Sequence, residues 1–541
     1  MLFPLFFFLV SLSSAAAAPP QVRLGNTTVT GRAIPGYSVE SFRGIPYAEP
    51  PIGPLRFETS VLLTALASDT LDASNFGKSC LQPGMAAELV SEDCLTVNVF
   101  RPAGVQSNAL LPVMFWTYGG GFYSGGSAQY DASALVARSV ARGTPIIYVS
   151  FNYRLGPLGF PQGTEALQRG SLNLGLRDQI VCLEWVQLFV RAFGGDASKV
   201  TLFGQSAGSI MQSILLLHDI SRLARAAIFE SGHAATTALF PASRGDPDWQ
   251  NFVGGTTSCR ALQNTSTTFG CLQNVSEAEI LAGWAAAAGR ELFTWTPVLD
   301  GPGGLLPSLP SSIMAKEGFS MPLPFMTGTN LDEGTIFTPH CPFNDQIITN
   351  LIIANFSPPI PSVSTQSDLE AAAAQIVALY PNNPASGSGN ASLGLPPQFK
   401  RTAAIEGDIS FQSQRRMWSQ TAAARGVKAF AYMFTQPQTQ APPSLGVYHG
   451  SEVRFVYGGV GHAASNSDSK LSGMMVDYWV SFATSMDPND GLGTPRPQWD
   501  AYTSDNPALM QLNGENTAMI PDDYRQNQIQ YIMDNSAVFH H

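Results

Sequence analysis

The stretch VTLFGQSAGSIMQS, Val200 to Ser213, constrains the fold of this chain more than any other. An apolar run ends in small residues and passes at once into a helix-like pattern, with Ser206 held between Gly204 and Gly208. A hydroxyl presented on a sharp strand-to-helix turn leaves no space for side chains at the outer positions, and paired glycines relieve that crowding. The following helix aims its first N–H groups, with their partial positive charge, where a tetrahedral intermediate gains a negative oxygen. Ala207 supplies one such N–H. With 50 glycines in the chain the bare pattern also fits a structural turn. The preceding strand and the helix after it favour a nucleophile.

Further apolar runs at Val97 to Phe100, Pro112 to Trp116, Ile146 to Phe151, Pro324 to Thr327 and Lys428 to Phe434 read as strands. They are separated by Gly-rich loops and helix-period segments, and that alternation predicts an α/β fold with a large, mainly parallel central sheet and helices on both faces. Length alone would suggest several domains, but large α/β sheets accommodate a chain of 541 residues as one unit. Reactive groups then belong on loops at the carboxyl ends of the strands. PNNPASGSGNASLGLPP, Pro381 to Pro397, reads as a surface loop.

MFWTYGGGFYSGG, Met114 to Gly126, ends one of these strands in three consecutive glycines. Such a loop brings backbone N–H groups to a ligand without Cβ obstruction, which makes Gly120 and Gly121 candidate oxyanion donors beside Ala207. A phosphate loop is excluded, because neither glycine cluster continues into Lys-Ser/Thr. In an α/β-hydrolase order the acid and histidine follow the serine. TGTNLDEGTIF offers Asp332 and Glu333, and the downstream histidines are His340, His449 and His462. His449, in SLGVYHGSEVRFVYG, follows the strand-like KAFAYMF by one loop and is the best placed of the three by spacing.

MLFPLFFFLVSLSSAAAAPP has a short apolar run and an A-x-A arrangement at Ala16 and Ala18, and residues 1–18 read as a secretory signal peptide. The run is shorter than the ~20 residues of a membrane span, so residues 19–541 are expected as one exported unit with no integral membrane segment. Sequons at Asn26, Asn264, Asn274, Asn355 and Asn390 agree with export, as do six cysteines. Cys80 with Cys94 and Cys259 with Cys271 would close short loops; Cys182 reads as a free buried thiol, and spacing does not place Cys341. The net charge of −11 provides no basic stripe for nucleic acid. The two terminal histidines are left out of the chemistry.

Taken together, FRGIPYAEPPIGPLRF, SEDCLTVNVF, NYRLGPLGF, NLGLRDQ, FGGDASKVTLFGQSAG, DEGTIF and VYHGSEVRFVYG resemble the blocks of the type-B carboxylesterase and lipase family in that family's order. The likeness runs from about Val22 to about Tyr531. It implies an α/β-hydrolase fold, no metal or cofactor, and a triad of Ser206, Glu333 and His449 acting on ester substrates. It also implies that Ser231 steadies the acid, that disulfides join Cys80 to Cys94 and Cys259 to Cys271, and that Arg43 pairs with Glu92 and Arg154 with Asp178. Two positions depart from the family pattern: Gln205 stands where Glu is usual, which removes a negative charge near the histidine, and Tyr118 stands where many members carry His.

The loop between Cys80 and Cys94 is short and has no aromatic residue, unlike the long lid of related lipases or the choline-binding loop of cholinesterases. The expected function is therefore a secreted serine carboxylesterase with a relatively open site. The alternatives are a lipase or sterol esterase, a feruloyl- or carotenoid-type esterase and, in another class, a non-catalytic cholinesterase-like adhesion protein. Oligomeric state is not legible.

Overall fold

The structure, a computed structural model, describes residues 18–287, 293–319, 322–383, 395–461 and 464–541. Residues 1–17 of the signal peptide read over 1–18, the sequon at Asn390 and the candidate His462 lie outside the described residues.

The apolar runs form the middle of an eleven-stranded sheet. Its strands are β1 (Arg32–Ile34), β2 (Val39–Pro46), β3 (Thr96–Pro102), β4 (Leu111–Thr117), β5 (Ile147–Phe151), β6 (Gly195–Gln205), β7 (Ala226–Glu230), β8 (Phe325–Asn330), β9 (Ala429–Phe434), β10 (Ala508–Leu512) and β11 (Ala518–Pro521). Their spatial order is β11-β10-β9-β8-β7-β6-β4-β5-β3-β2-β1. The run from β5 to β10 is parallel, while β3, β2, β1 and β11 add antiparallel margins. Every residue of β3, β8 and β9 is buried, as a sheet covered on both faces requires. This is the α/β-hydrolase architecture expected from the strand and helix alternation.

Strand order places the site. The chain runs from β4 to β5 on one side and returns to lay β6 against the other side of β4, so β4 and β6 flank the point where the winding reverses. Loops leaving the carboxyl ends of strands on either side of such a point diverge and leave a crevice. The three glycines leave β4 there, and Ser206 leaves β6, with Thr117 of β4 in register with Gly204 of β6. Helix α1 (Leu174–Phe189) buries Cys182, and helix α2 (Ala207–Leu215), which follows Ser206, is buried at all positions.

The structure contains both disulfides, Cys80–Cys94 and Cys259–Cys271, and leaves Cys182 free and buried and Cys341 free and exposed. Arg154 pairs with Asp178 through two hydrogen bonds of 2.9 and 2.7 Å. The expected Arg43–Glu92 pair is not formed. Arg56 takes Glu92 instead, its Nε and Nη2 donating to the two carboxylate oxygens at 2.7 and 2.5 Å. That planar two-point contact suits a guanidinium at the turn after β2, whereas Arg43, within β2, lies over Phe76 and Phe100 at 4.5 and 4.9 Å.

The terminal histidines are part of the fold rather than an appendage. The backbone N–H of Leu239 donates to the His540 carbonyl at 3.0 Å, and the His540 ring rests 4.3 Å from Phe240. His541 contacts the Gln414 amide at 2.7 Å. Burial pushes their imidazole pKa values down, to about 4 for His540 and about 3 for His541.

Candidate active site

Ser206 is the hinge between β6 and α2, with φ 56° and ψ −128°, a left-handed backbone that non-glycine residues adopt at a cost of order 1–3 kcal/mol. The crowding that selects glycine around it comes from the adjacent strand. A Cβ on Gly204 would stand 2.8 Å from the Thr117 carbonyl oxygen at the end of β4, and one on Gly208 would fall well inside contact with the same atom. Gly119 has an equivalent role on the β4 side, since its Cβ would lie 2.8 Å from the Ser206 Cβ. The glycine-rich loop can therefore lie directly against the serine turn. Gly121 and Ala207 line one cavity with Ser206, and Gly120 forms the turn between them and Gly119.

The imidazole arrives from a loop beyond β9. His449 Nδ1 is 2.5 Å from Glu333 Oε2, and Glu333 Oε1 accepts hydrogen bonds from the Ser231 hydroxyl and the Asn330 N–H, both at 2.6 Å. A carboxylate held by two donors presents its other oxygen in a fixed direction, so Nδ1 carries the proton and Nε2 keeps its lone pair. The neighbouring acid does different work. Asp332 Oδ2 accepts from the Val447 N–H at 2.9 Å and Asp332 is ion-paired with Lys400, which fastens the loop that carries His449. His340 lies away from this group, packed 4.6 Å from Phe399.

The cavity in front of these groups measures about 180 Å³. Its apolar lining includes Phe122, Phe293, Phe337, Phe356 and Phe411, and Phe337 and Phe411 also pack on the His449 ring at 5.1 and 4.7 Å. Tyr118 takes no part, because it is buried and stacked on Tyr153 at 4.5 Å. The disulfide loop is tied to the glycine-rich loop: the Gln82 amide donates to the Gly125 carbonyl at 2.7 Å and accepts from the Gly125 N–H at 2.8 Å.

Several groups escaped sequence reasoning. Glu452, three residues beyond His449, is buried, and burial together with the Glu333 charge raises its pKa to about 7. Glu230, at the end of β7, is pushed well above the ordinary carboxylate range by burial and by Glu452. Trp479 Nε1 donates to it at 2.7 Å, and its other oxygen has no hydrogen-bond partner among the described residues. Glu406 and Ser410 line the cavity, and burial raises the Glu406 pKa. The Gln205 side chain lies 3.1 Å from His449 Nε2. Only Gln205 carried a signal, its place next to the nucleophile; the acids are assembled from separate strands and loops. Among the described residues no cluster of His, Cys, Asp and Glu is placed to hold a metal ion.

Comparison with known proteins agrees with this architecture. The model of the Carboxylesterase family matches residues 18–532. Secreted lipase 1 of Botryotinia fuckeliana is 33% identical over 97% of this chain and 94% of its own length. Lipase 1 of Geotrichum candidum is 32% identical, with 96% of each chain covered. Among solved structures, EstA of Aspergillus niger superposes with a TM-score of 0.83 at 24% identity, covering 97% of this chain and 99% of that one. A PNB esterase superposes at 0.77 with 27% identity, covering 95% and 99%.

Proposed function

The chain belongs to the carboxylesterase family and is a carboxylic ester hydrolase, and from that premise we propose that it is a secreted serine esterase working through an acyl-enzyme on Ser206. The observation that carries this reading is the 2.5 Å contact of His449 with Glu333 beside a cavity lined by Ser206. Ser206 Oγ attacks the ester carbonyl while His449 Nε2 takes its proton. The oxyanion is received by the N–H groups of Gly120, Gly121 and Ala207. His449 then returns the proton to the departing alcohol, leaving an acyl-Ser206 ester. Water attacks that ester with His449 again as base, and the acid and free serine are released. Glu333 orients the ring and stabilises the imidazolium; Ser231 steadies Glu333.

Residues 19–541 act as one catalytic unit after removal of the leader. Export is supported by the leader-like start and by relatives named as secreted. Among the described residues no helix is long and apolar enough to cross a membrane. An open entrance is supported by the short Cys80–Cys94 loop and its Gln82 tether. The names of the lipase relatives and the phenylalanine-rich cavity favour lipid esters as the second reading.

Purified protein assayed on acyl esters from acetyl to long-chain, with hydroxycinnamate and steryl esters, checks the class of substrate. Ser206→Ala is expected to lower kcat by on the order of 10⁴ or more with the fold intact. An alanine variant as active as the parent would remove Ser206 from the mechanism. A rate that rises sharply at the solubility limit of a triglyceride would move the assignment from open esterase to interfacial lipase.

A further inference from the structure

Gln205 is buried and places its side-chain nitrogen 3.1 Å from His449 Nε2, the nitrogen that must receive the Ser206 proton. With the Nδ1 proton committed to Glu333, Nε2 is an acceptor, and the amide N–H is its complement. We infer that Gln205 is a positioning residue that holds the imidazole neutral, by donating a hydrogen bond to the lone pair that the reaction uses; the inference rests on the proposed roles of Ser206 and His449.

The consequence follows from what each ring state meets. In the neutral ring the amide donor faces a lone pair. In the imidazolium, Nε2 becomes a donor and the same amide hydrogen opposes it until the amide turns its carbonyl inward. Hydrogen bonding to the neutral form disfavours the charged form, so in the resting enzyme the ring stays neutral to lower pH than it would without Gln205, and the amide yields Nε2 when the Ser206 hydroxyl turns to donate to it. Of the ionisable groups around the ring, Glu333 favours the charged form from Nδ1, and Glu452 lies behind it with Glu230 beyond. Glu406 belongs to the helix that leads to Phe411, which packs on the ring. Arg244 and Asp248 line the wider cavity. These groups are predominantly acidic, and Gln205 adds a contact at Nε2 without adding charge.

Breaking the device requires a change that keeps the size of the side chain. Gln205→Glu replaces the donor by an acceptor that welcomes the imidazolium, and Gln205→Met removes the polar contact. The acid limb of kcat/KM for a p-nitrophenyl ester, measured beside Ser206→Ala, reads the effect. The midpoint is expected to rise by about one pH unit in Gln205→Glu and by a smaller step in Gln205→Met. KM should be nearly unchanged. A purely structural role would lower activity evenly across pH. Midpoints for both variants within about 0.2 unit of the parent would overturn the inference. Activity surviving in Ser206→Ala would instead overturn the functional reading beneath it.

Discussion

The two halves of the site are held in place by different means. Ser206 is held by backbone: a strand end, a helix start and three close glycine contacts fix it without help from any side chain. His449 is held by side chains, in a chain of hydrogen bonds from Ser231 to Glu333 to the ring, with Asp332 and Asn330 securing the loops. The difference teaches where a substitution strikes fold and chemistry together and where it strikes the chemistry alone. Adding one carbon to the serine side presses on the backbone carbonyl of Thr117 in β4, whereas changing one polar group on the histidine side alters the ring's chemistry and leaves the strands in place.

The sharpest break on the histidine side is Glu333→Gln, which keeps the shape but allows the ring to bind through the wrong tautomer. The expected loss in kcat is about 10⁴, with little change in KM, read by steady-state kinetics on a soluble ester. On the serine side, Gly208→Ala tests the backbone constraint. Its Cβ meets the Thr117 carbonyl, so kcat/KM should fall by about 10² and the melting temperature should drop as well. A Gly208→Ala protein with normal activity and stability would show that the turn has slack and erase the contrast.

The smallest expected effect concerns the acids behind the ring. Glu452 has a folded pKa of about 7 against an ordinary value of 4.5. Between those values the unfolded chain releases the proton first, so this group lowers stability as pH rises through that window. Glu452→Gln lacks that loss. The melting temperature of the variant relative to the parent should therefore increase by roughly 2 °C between about pH 5 and about pH 8. A difference that stays flat with pH would mean that the carboxyl is not the buried acid described.

The same contrast explains what could be read before the fold was known. The Ser206 turn lies within one contiguous segment, so its strand, glycines and helix start were all visible together. His449 and Glu333 were separated from the other candidates by resemblance to family blocks, because they lie 116 positions apart in the chain. The Arg43–Glu92 pair was implied by the family resemblance, and only the fold shows that Arg56 is the arginine that reaches Glu92 while Arg43 lies over Phe76. The terminal histidines looked dispensable because nothing local shows that Phe240 and Gln414 will enclose them. Gln205 was visible as an absent charge, but its contact with the ring depends on a loop more than 200 residues away.

The paired hydrogen bonds between Gln82 and Gly125 couple the Cys80–Cys94 loop to the glycine-rich strip proposed to receive the oxyanion. Under that proposal the two form a single mechanical piece. Any excursion of the disulfide loop would pull on the amides that must meet the ester carbonyl, so freedom in the one would be set against speed in the other by the same two contacts.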